Sequence, residues 1–338
     1  MKDLFILVED QSDYNNMIDT MFYDCKDIES FITIVEKKTK LKMIQLLKKR
    51  KVQEYTMGKL NFLIVKKFSL YHILKENATK FDNIYVIFLN SSFLKSLYPY
   101  NVLKKYKSKW NNIKYILFYI DIIEHPVSKH ANILRKMGIF DLIYTVDEGD
   151  AIKYNLNLFP TPYSIIKEYT SIVPKNDIYF CGVTKDRGNK IKRILDAIDK
   201  NNITTKMDIF CNSMEYQDMK AYQKIANIYE NSNYIPYLKV LERTLQAKCI
   251  LELVQENQKA LTLRAYEAIA YNRKLLTNCK TILNFKYYNP SYIQYFENID
   301  DIDWNWVKMD IDIDYNYNGE FSPKVLIDDI LKKSNEGV

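Results

Sequence analysis

The sequence contains little glycine and no run of apolar residues that could cross a membrane. Seven of its 338 residues are glycine, about 2% where ~7% is usual in soluble proteins. This scarcity disfavours a fold that depends on several glycine-rich loops. Even the apolar run from Tyr115 to Ile120 ends at Asp121, far short of the ~18 residues that a membrane span needs. We therefore expect at most peripheral contact with a membrane.

The number and spacing of the cysteines exclude two classes of protein. The five cysteines are widely spread and form no CxxC pair, so neither a disulfide framework nor a zinc site is expected. The N-terminal segment MKDLFILVEDQSD has about five apolar residues before Glu9, fewer than the ~7–15 of a signal-peptide core. These features predict reduced core thiols and a cytoplasmic protein.

The length and the pattern of apolar runs indicate two α/β domains. A chain of 338 residues exceeds the usual ~100–200 residues of one domain. Short runs rich in Ile, Val, Phe and Tyr alternate with stretches of helical spacing, which is typical of βα units around parallel sheets. In the first half the predicted strands are Leu4–Val8, Phe31–Val35, Phe62–Val65, Ile84–Leu89, Ile113–Ile120 and Leu142–Thr145. Three prolines between Leu158 and Pro174 then predict an interdomain connection.

The alternation starts again after this connection and ends in a C-terminal helix. The predicted elements are strand Ile178–Cys181, helix 188–199, strand Met207–Cys211, helix 214–230, a helix from Pro236, strand Cys249–Val254, helix 262–271 and strand Lys274–Thr277. Ser322 and Pro323 predict the start of a helix that runs to about Lys333. We predict an N-terminal domain over 1–170, a second domain over 171–320 and the helix over 321–338. The expected fold is two Rossmann-like domains that face a cleft, with the helix closing back on the body.

Charge is distributed unevenly along the chain. Residues 1–170 hold 26 Lys and Arg against 19 Asp and Glu, residues 171–295 hold 19 against 12, and residues 296–338 hold 4 against 11. The two domains are therefore basic and the tail is acidic. A basic body suits phosphate-bearing partners such as nucleotides, nucleic acid or anionic lipid, and the charge alone does not choose among them.

Ligands of open α/β sheets bind beyond the carboxyl ends of the strands, and two such places in the second domain suit a nucleotide. The first strand is followed by Gly182, Lys185, Arg187 and Gly188, with five residues between the glycines where a Walker A loop has four. The segment is therefore no P-loop, but a basic turn before a helix suits a diphosphate. The alternative is a solvated turn whose Asp186 or Asn189 caps the helix.

The second place is a predicted helix that begins after Thr262. Thr262 is expected to cap it and to leave free backbone N–H groups at its positive end. Arg264 and Glu267 are three residues apart and share a face, so the guanidinium can bind phosphate and the carboxylate can accept hydrogen bonds from ribose hydroxyls. The alternative is an ordinary surface ion pair between the two side chains.

The run CILELVQENQKALTLRAYEAIAYNRKLLTN, with PYLKVLERTLQ and YFCGVTKDRGNKI before it, resembles the donor half of bacterial GT-B glycosyltransferases of lipopolysaccharide and capsule synthesis. The segments FYIDIIEH and FDLIYTVDEGDAIKYNL are similar to the end of their acceptor domain. The resemblance covers roughly residues 113–290. It implies a nucleotide-sugar donor with Glu267 on the ribose, and with Arg264 and the 182–187 loop near the diphosphate. Ala260 stands where this family often has glycine.

Asp121, at the end of a very hydrophobic predicted strand, is the first candidate for the base that accepts the proton of an acceptor hydroxyl. His125 is the second candidate, and Glu9, Asp10 and Asp13 after the first strand are held in reserve. The alternative for Asp121 is a side chain that caps the next turn. Asp310, Asp312 and Asp314 match a DxD motif of metal-dependent glycosyltransferases, but their position near the C-terminus predicts a solvated acidic loop, so we expect no bound metal and no cofactor.

Two basic stretches with interspersed aromatic or apolar residues, Lys37 to Lys51 and Tyr98 to Tyr115, lie in the first domain. They predict either ordinary amphipathic surface helices or docking on the inner face of the cell membrane, near a lipid-linked acceptor. No RRM, KH, helix-turn-helix or zinc-finger pattern accompanies them, so nucleic acid is not an expected partner. The resemblance to GT-B glycosyltransferases implies a metal-independent hexosyltransferase acting on a surface glycan or its lipid-linked precursor. The alternatives are a non-catalytic protein that docks on nucleic acid or membrane, and a sugar-nucleotide epimerase of the same shape.

Overall fold

A computed structural model describes residues 2–10, 17–36, 69–93, 98–230, 235–255 and 259–336. These residues form two compact units. Unit 1 holds the described parts of Met1–Asp13, Asp24–Pro162 and Pro323–Val338, and unit 2 holds those of Tyr14–Tyr23 and Tyr163–Ser322. The main division thus follows Pro162, whereas the sequence places it near residue 170. The C-terminal helix belongs to unit 1.

The regular elements of the described residues are numbered in chain order. The strands are β1 (Asp3–Asp10), β2 (Phe31–Glu36), β3 (Asn83–Leu89), β4 (Ile113–Tyr119), β5 (Leu142–Thr145), β6 (Asn157–Leu158), β7 (Asn176–Tyr179), β8 (Cys181–Val183), β9 (Met207–Cys211), β10 (Ala226–Glu230), β11 (Ala247–Glu252), β12 (Lys274–Thr277) and β13 (Ile293–Tyr295). The helices are α1 (Met17–Met21), α2 (Ser69–Asn77), α3 (Tyr100–Lys109), α4 (Lys129–Lys136), α5 (Glu148–Tyr154), α6 (Gly188–Lys200), α7 (Ser213–Met219), α8 (Tyr237–Leu245), α9 (Leu263–Ala270), α10 (Trp304–Lys308) and α11 (Pro323–Asn335).

Unit 1 is built on one parallel sheet. Its order is β2-β1-β3-β4-β5-β6, and every neighbouring pair is parallel. The central strands β3 and β4 are almost wholly buried, which is why they read as continuous apolar runs in the sequence. The predicted strands that correspond to β1 through β5 are confirmed. The strand predicted at Phe62–Val65 and the basic stretch Lys37 to Lys51 lie outside the described residues.

Tyrosine fills much of the core of unit 1. Tyr115 and Tyr144 are fully buried, and each of their hydroxyls has a partner. The hydroxyl of Tyr115 donates to the carbonyl of Leu103 at 3.0 Å, and that of Tyr144 donates to Asp329 of α11 at 2.8 Å. A ring can be buried in this way because its hydroxyl is satisfied. The 28 tyrosines of the chain therefore reflect, in part, a core that combines bulk with hydrogen bonds.

Unit 2 has two described sheets that share one strand direction. Their orders are β10-β9-β8 and β13-β12-β11-β7. Only Phe180 separates β7 from β8, and its carbonyl accepts a hydrogen bond from Asp208 of β9. The segment β7–β8 thus pairs with β11 through its first half and with β9 through its second half. The strands run in the order of a Rossmann fold, β10-β9-β8 followed from β7 by β11-β12-β13.

The helix predicted over 214–230 is wrong in its second half. Helix α7 ends at Met219, and Ala226–Glu230 forms β10, which is parallel to β9. The reason is tertiary: Ile228 pairs with Ile209 of β9, and the ring of Tyr229 stacks on that of Phe210 at 4.8 Å. Pairing with a formed strand overrides a helical pattern in so short a segment. The α/β class with two Rossmann-like sheets is confirmed.

No helix among the described residues is long and apolar enough to cross a membrane. The part of the Tyr98 to Tyr115 stretch that forms α3 buries Val102, Leu103 and Tyr106. Lys104, Lys105 and Lys109 are exposed on the same helix. The amphipathic surface helix that the sequence predicts is therefore present, and docking on a membrane stays a prediction.

A buried ion pair joins β9 to α8 in unit 2. The Asp208 side chain is fully buried, and the guanidinium of Arg243 donates to both of its oxygens at 2.7 Å. The hydroxyl of Tyr229 and the amide of Asn227 also donate to Asp208, at 2.9 and 2.8 Å. The pair is therefore part of a satisfied polar network inside the unit.

We expect Arg243→Met to lower the free energy of unfolding by about 3 kcal/mol, because it leaves a buried carboxylate without its cation. Urea unfolding of the full chain measures this effect. The matched control is Lys192→Met, which breaks the pair with Asp218, a residue that is 69% exposed. That change should cost less than about 1 kcal/mol. Equal losses in the two variants would contradict a structural role for the buried pair.

Candidate functional site

The direction in which strands are added in unit 2 reverses between β8 and β11. From β8 the chain crosses to β9 on one side, and from β11 it crosses to β12 on the other. Because parallel crossovers are right-handed, α6 and α9 leave these strands on opposite faces of the sheet. The N-termini of the two helices border a crevice at the carboxyl edge, where open α/β sheets bind ligands.

Arg187 ties the two sides of this crevice together. Its guanidinium donates to the carbonyl of Leu253, just after β11, and to the carbonyl of Val183 at 2.6 Å. Its Nε is buried and has no hydrogen-bond partner among the described residues. Burial lowers the pKa of Arg187, and Asp186 offsets part of that shift. A half-buried cation with an unused donor is suited to bind an anion. Lys185, in the same loop, is exposed.

The two glycines of this loop have different neighbours. A Cβ on Gly182 would lie 2.6 Å from the ring of Phe180, which is buried in the core. A Cβ on Gly188 would lie 2.5 Å from a carboxylate oxygen of Glu215, which accepts a hydrogen bond from Thr184 at 2.6 Å. Gly182 is thus required by packing, and its predicted part in donor binding stays a prediction. The start of α6 already has a carboxylate beside it.

The N-terminus of α9 also has a carboxylate of the chain beside it. Thr262 caps the helix, as predicted. Its N–H and hydroxyl both donate to Glu252, at 2.7 and 2.6 Å, and the hydroxyl of Thr277 donates to the other oxygen at 2.5 Å. Burial raises the pKa of Glu252, and these hydrogen bonds counter the rise. The backbone N–H groups of Thr262 and Arg264 have partners, and only that of Leu263 has none among the described residues. The expectation of free N–H groups at this helix start is therefore only partly met.

Arg264 and Glu267 meet on α9 and form an ion pair. Glu267 is fully buried, and its second oxygen accepts a hydrogen bond from the hydroxyl of Tyr237 at 2.5 Å. Arg264 also donates to the hydroxyl of Thr244 at 3.1 Å, and its side chain is 17% exposed. Burial raises the pKa of Glu267, while Arg264 and Tyr237 offset part of the rise. The pair is therefore not the ordinary surface ion pair that was the alternative.

The predicted catalytic residues lie in unit 1, after β4. Asp121 is exposed, and no donor among the described residues hydrogen-bonds to its carboxylate. The alternative, in which Asp121 caps the following turn, is not observed, because no backbone N–H of the described residues donates to Asp121. Nδ1 of His125 accepts the N–H of Val127 at 3.3 Å and caps the turn at Pro126–Ser128. With Nδ1 engaged, the proton of a neutral His125 ring lies on Nε2, so the ring has no free lone pair for catalysis. Asp121 remains the candidate base.

The other sequence candidates are placed as follows. The side chains of Glu9 and Asp10 and the whole of Asp13 lie outside what the structure describes. Asp310 pairs with Lys248 at 3.0 Å, as an exposed acidic loop does. Among the described residues there is no group of three His, Cys, Asp or Glu side chains that could hold a metal ion. The absence of metal and cofactor stays a prediction.

Four polar residues at these sites are not predicted by the sequence. Tyr237 and Glu252 contact the predicted donor residues, and Asn90 and Asp150 contact the loop that carries Asp121. Glu252 and Asn90 share a signal that the sequence contains, since each is a polar residue at or directly after the end of an apolar strand. Tyr237 and Asp150 offer no such signal, because their contacts come from helices distant in sequence.

No protein-family model and no curated protein sequence matches the chain. Among solved structures, it is similar to an alpha-glucosyltransferase in complex with UDP and a 13-mer DNA containing a central A:G mismatch, at 14% identity and a TM-score of 0.53, with 84% of this chain and 81% of that chain covered. It is also similar to an alpha-glucosyltransferase in complex with UDP-glucose and DNA containing an abasic site, at 12% identity and a TM-score of 0.50, with 84% of this chain and 82% of that chain covered. The similarity to UDP-GlcNAc 2-epimerase from Neisseria meningitidis, bound to UDP-GlcNAc, is 10% in identity and 0.49 in TM-score, with 98% of this chain and 100% of that chain covered.

The likeness to the two alpha-glucosyltransferase structures shows the fold. The chain has the GT-B type of architecture, with two Rossmann-like domains, as the sequence resemblance implies. At 12% and 14% identity it shows nothing finer. The lipopolysaccharide and capsule class of the resemblance stays a prediction.

We expect Gly182→Ala to lower the stability of unit 2 by about 1–3 kcal/mol, because the new methyl group must displace the buried ring of Phe180. Gly188→Ala is the matched control. There the obstacle is the end of a flexible Glu215 side chain, so the loss should stay below about 1 kcal/mol. Thermal unfolding of the three proteins measures both effects. A Gly182→Ala protein as stable as wild type would contradict the packing role.

Proposed function

We propose that the protein is a glycosyltransferase that takes its sugar from a UDP-sugar bound at the crevice of unit 2. The observation that carries the proposal is the set of cations around the reversal point of the sheet: Lys185, Arg187 and Arg264. Nucleotide diphosphates bind at such points, with cations and helix N-termini around the phosphates. UDP is the nucleotide in the two alpha-glucosyltransferase structures that share the fold.

In this proposal the diphosphate contacts the unused donors of Arg187, Arg264 and Lys185. Because carboxylates of the chain already lie at the starts of α6 and α9, these side chains supply most of the positive charge. Three cations can balance the charge that develops on the departing diphosphate without a metal ion. The ribose hydroxyls replace the hydroxyl of Tyr237 on Glu267, which requires the Tyr237 ring to turn aside.

The transfer step assigns Asp121 as the base. Its carboxylate accepts the proton of the acceptor hydroxyl while the acceptor oxygen forms a bond to the anomeric carbon of the sugar. The bond from that carbon to the diphosphate breaks, and UDP leaves with the electron pair. Support comes from the exposed Asp121 carboxylate, which no described donor engages. The neighbouring carboxylate, Glu124, is held by Lys153 at 2.6 Å.

The acceptor is proposed to be a surface glycan or its lipid-linked precursor, as the sequence resemblance implies. The exposed lysines of α3 suit approach to an anionic membrane that carries such an acceptor. The two structures that share the fold contain DNA, so an acceptor screen must include DNA oligonucleotides beside glycans. Transfer to DNA alone would overturn the glycan acceptor and would leave the UDP-sugar donor standing.

We expect Glu267→Gln to weaken UDP binding about 10- to 100-fold, because a charge-assisted hydrogen bond contributes ~1.5–3 kcal/mol. Isothermal titration of UDP measures it. Tyr237→Phe is the matched variant, since it removes the hydroxyl that competes with ribose for Glu267. It should bind UDP at least as tightly as wild type. If Glu267→Gln binds UDP as tightly as wild type, the ribose role is wrong.

We expect Asp121→Asn to lower kcat for transfer about 10²- to 10⁴-fold, the usual effect of a lost general base. Binding of UDP should not change, because the proposed donor residues all belong to unit 2. Glu124→Gln is the control, three residues further on, and should keep most of the activity. Initial rates with UDP-sugar and acceptor are the measurement. Full activity in Asp121→Asn would remove it from the role of base.

Two other functions predict different results in the same assays. An epimerase of this fold would convert the UDP-sugar in the absence of any acceptor. A non-catalytic protein would bind oligonucleotides or anionic vesicles in a salt-sensitive way and would gain no thermal stability from UDP. Either result would overturn the proposed function.

A further inference from the structure

The loop between β4 and α4 is held by buried polar side chains on both sides of Asp121. The backbone N–H of Ile120 donates to the amide oxygen of Asn90 at 3.1 Å. The backbone N–H of Ile123 donates to Asp150 at 2.7 Å. The hydroxyl of Ser128 donates to the carbonyl of Ile122 at 3.3 Å. The residue before Asp121 and the two after it are therefore each fixed by a side chain.

Asn90 is the centre of this arrangement. It directly follows β3 and is fully buried. While its oxygen accepts from Ile120, its NH₂ group donates to the hydroxyl of Ser128 at 2.9 Å. One amide thus connects the end of β3 to the end of β4 and to the residue that precedes α4. A hydrocarbon side chain could make neither bond, and burial of an amide is tolerated because both of its ends are satisfied.

The other groups around the loop have their own elements as supports. Asp150 is 8% exposed and comes from α5. Asn132 of α4 donates to the carbonyl of Ile123 at 2.7 Å, and its own oxygen accepts from the hydroxyl of Tyr119 at 2.7 Å. Surface loops ordinarily satisfy their backbone groups with water. Here the loop's groups are satisfied by side chains that the fold has to bury.

Asp121 lies one strand away from the reversal point of the unit 1 sheet. Strands are added in opposite directions from β1, to β2 on one side and to β3 on the other. Asn90 ends the β3 side of that point, and Asp121 follows the neighbouring strand β4. A ligand crevice is expected at the reversal point. The loop therefore holds an exposed carboxylate, which has no partner among the described residues, at a fixed position one strand away from the expected crevice.

We propose that Asn90 is a positioning residue that fixes the Asp121 loop for proton transfer from the acceptor. This inference rests on the proposed function. Its physical basis is that a catalytic group must lie within a narrow range of distance and angle, so that a displacement of about 1 Å can cost ~10²-fold in rate. Loss of the amide frees the N–H of Ile120, one residue before Asp121, and lets the loop shift.

The test is a double-mutant cycle with Asn90→Ala and Asp121→Asn. We expect Asn90→Ala to lower kcat about 10- to 100-fold and to leave the KM for the UDP-sugar and the affinity for UDP unchanged. In the Asp121→Asn background the same change should cost less than about 3-fold, because the base that Asn90 positions is already lost. Equal factors in both backgrounds, an unchanged kcat, or a rise in KM alone would overturn the proposal.

Asn112→Ala is the matched control for a purely structural effect. Asn112 precedes β4 at the opposite edge of the sheet, and its amide also makes two hydrogen bonds, to the carbonyls of Ala78 and Phe81 at 3.0 and 2.9 Å. Its loss should lower thermal stability and leave kcat near that of wild type. If Asn90→Ala does not fold, Asn90→Leu replaces it in the cycle, because a leucine of similar size fills the cavity and still removes the acceptor for the N–H of Ile120.

The two levels of the hypothesis fail in different ways. If the wild-type protein does not transfer sugar from any UDP-sugar to a glycan or DNA acceptor, the proposed function is overturned, and the positioning role falls with it. A wild-type protein that transfers sugar, and in which Asn90→Ala and Asp121→Asn have independent effects, overturns the positioning role alone.

Discussion

The parallel pairing of β7 and β8 with strands on both sides is the constraint on which unit 2 depends. Because β7 pairs with β11 and β8 pairs with β9, the same short segment joins both halves of the sheet. Because the strand order reverses at this segment, α6 and α9 leave the strands next to it on opposite faces of the sheet. The position of Arg187 beside the carbonyl of Leu253, and of the α9 cap beside β12, follows from this pairing. The place where a ligand crevice is expected is thus a consequence of strand order before any side chain is considered.

Charge inside unit 2 is permitted by complete hydrogen bonding. Glu252 has three donors from two threonines, and Asp208 has a guanidinium and neutral donors around it. Lys274 is 1% exposed and donates to three backbone carbonyls around the end of α10. A buried charge without such partners costs several kcal/mol. Arg187 is an exception, since its Nε has no partner among the described residues, which is why the proposed function assigns it to the diphosphate.

The sequence predicts what is local and misses what is brought together by the fold. Strands such as β3 and β4 are apolar along their whole length, so their positions could be predicted. The second half of the helix at 214–230 could not, because β10 exists only by pairing with β9. Arg264 and Glu267 are one helical turn apart, so their meeting follows from spacing. Their enclosure by Tyr237 depends on the packing of α8 against α9, which no spacing in the sequence encodes.

The scarcity of glycine takes on a different meaning in the structure. A glycine-rich loop binds phosphate by exposing backbone N–H groups, and such a loop needs several residues without side chains. Here the ring of Phe180 leaves no room for a side chain at position 182, and a side chain at position 188 would meet Glu215. Carboxylates lie beside the helix starts that would otherwise attract phosphate. In the proposed function the diphosphate is therefore held by Arg and Lys side chains, and we expect its binding to weaken as ionic strength rises.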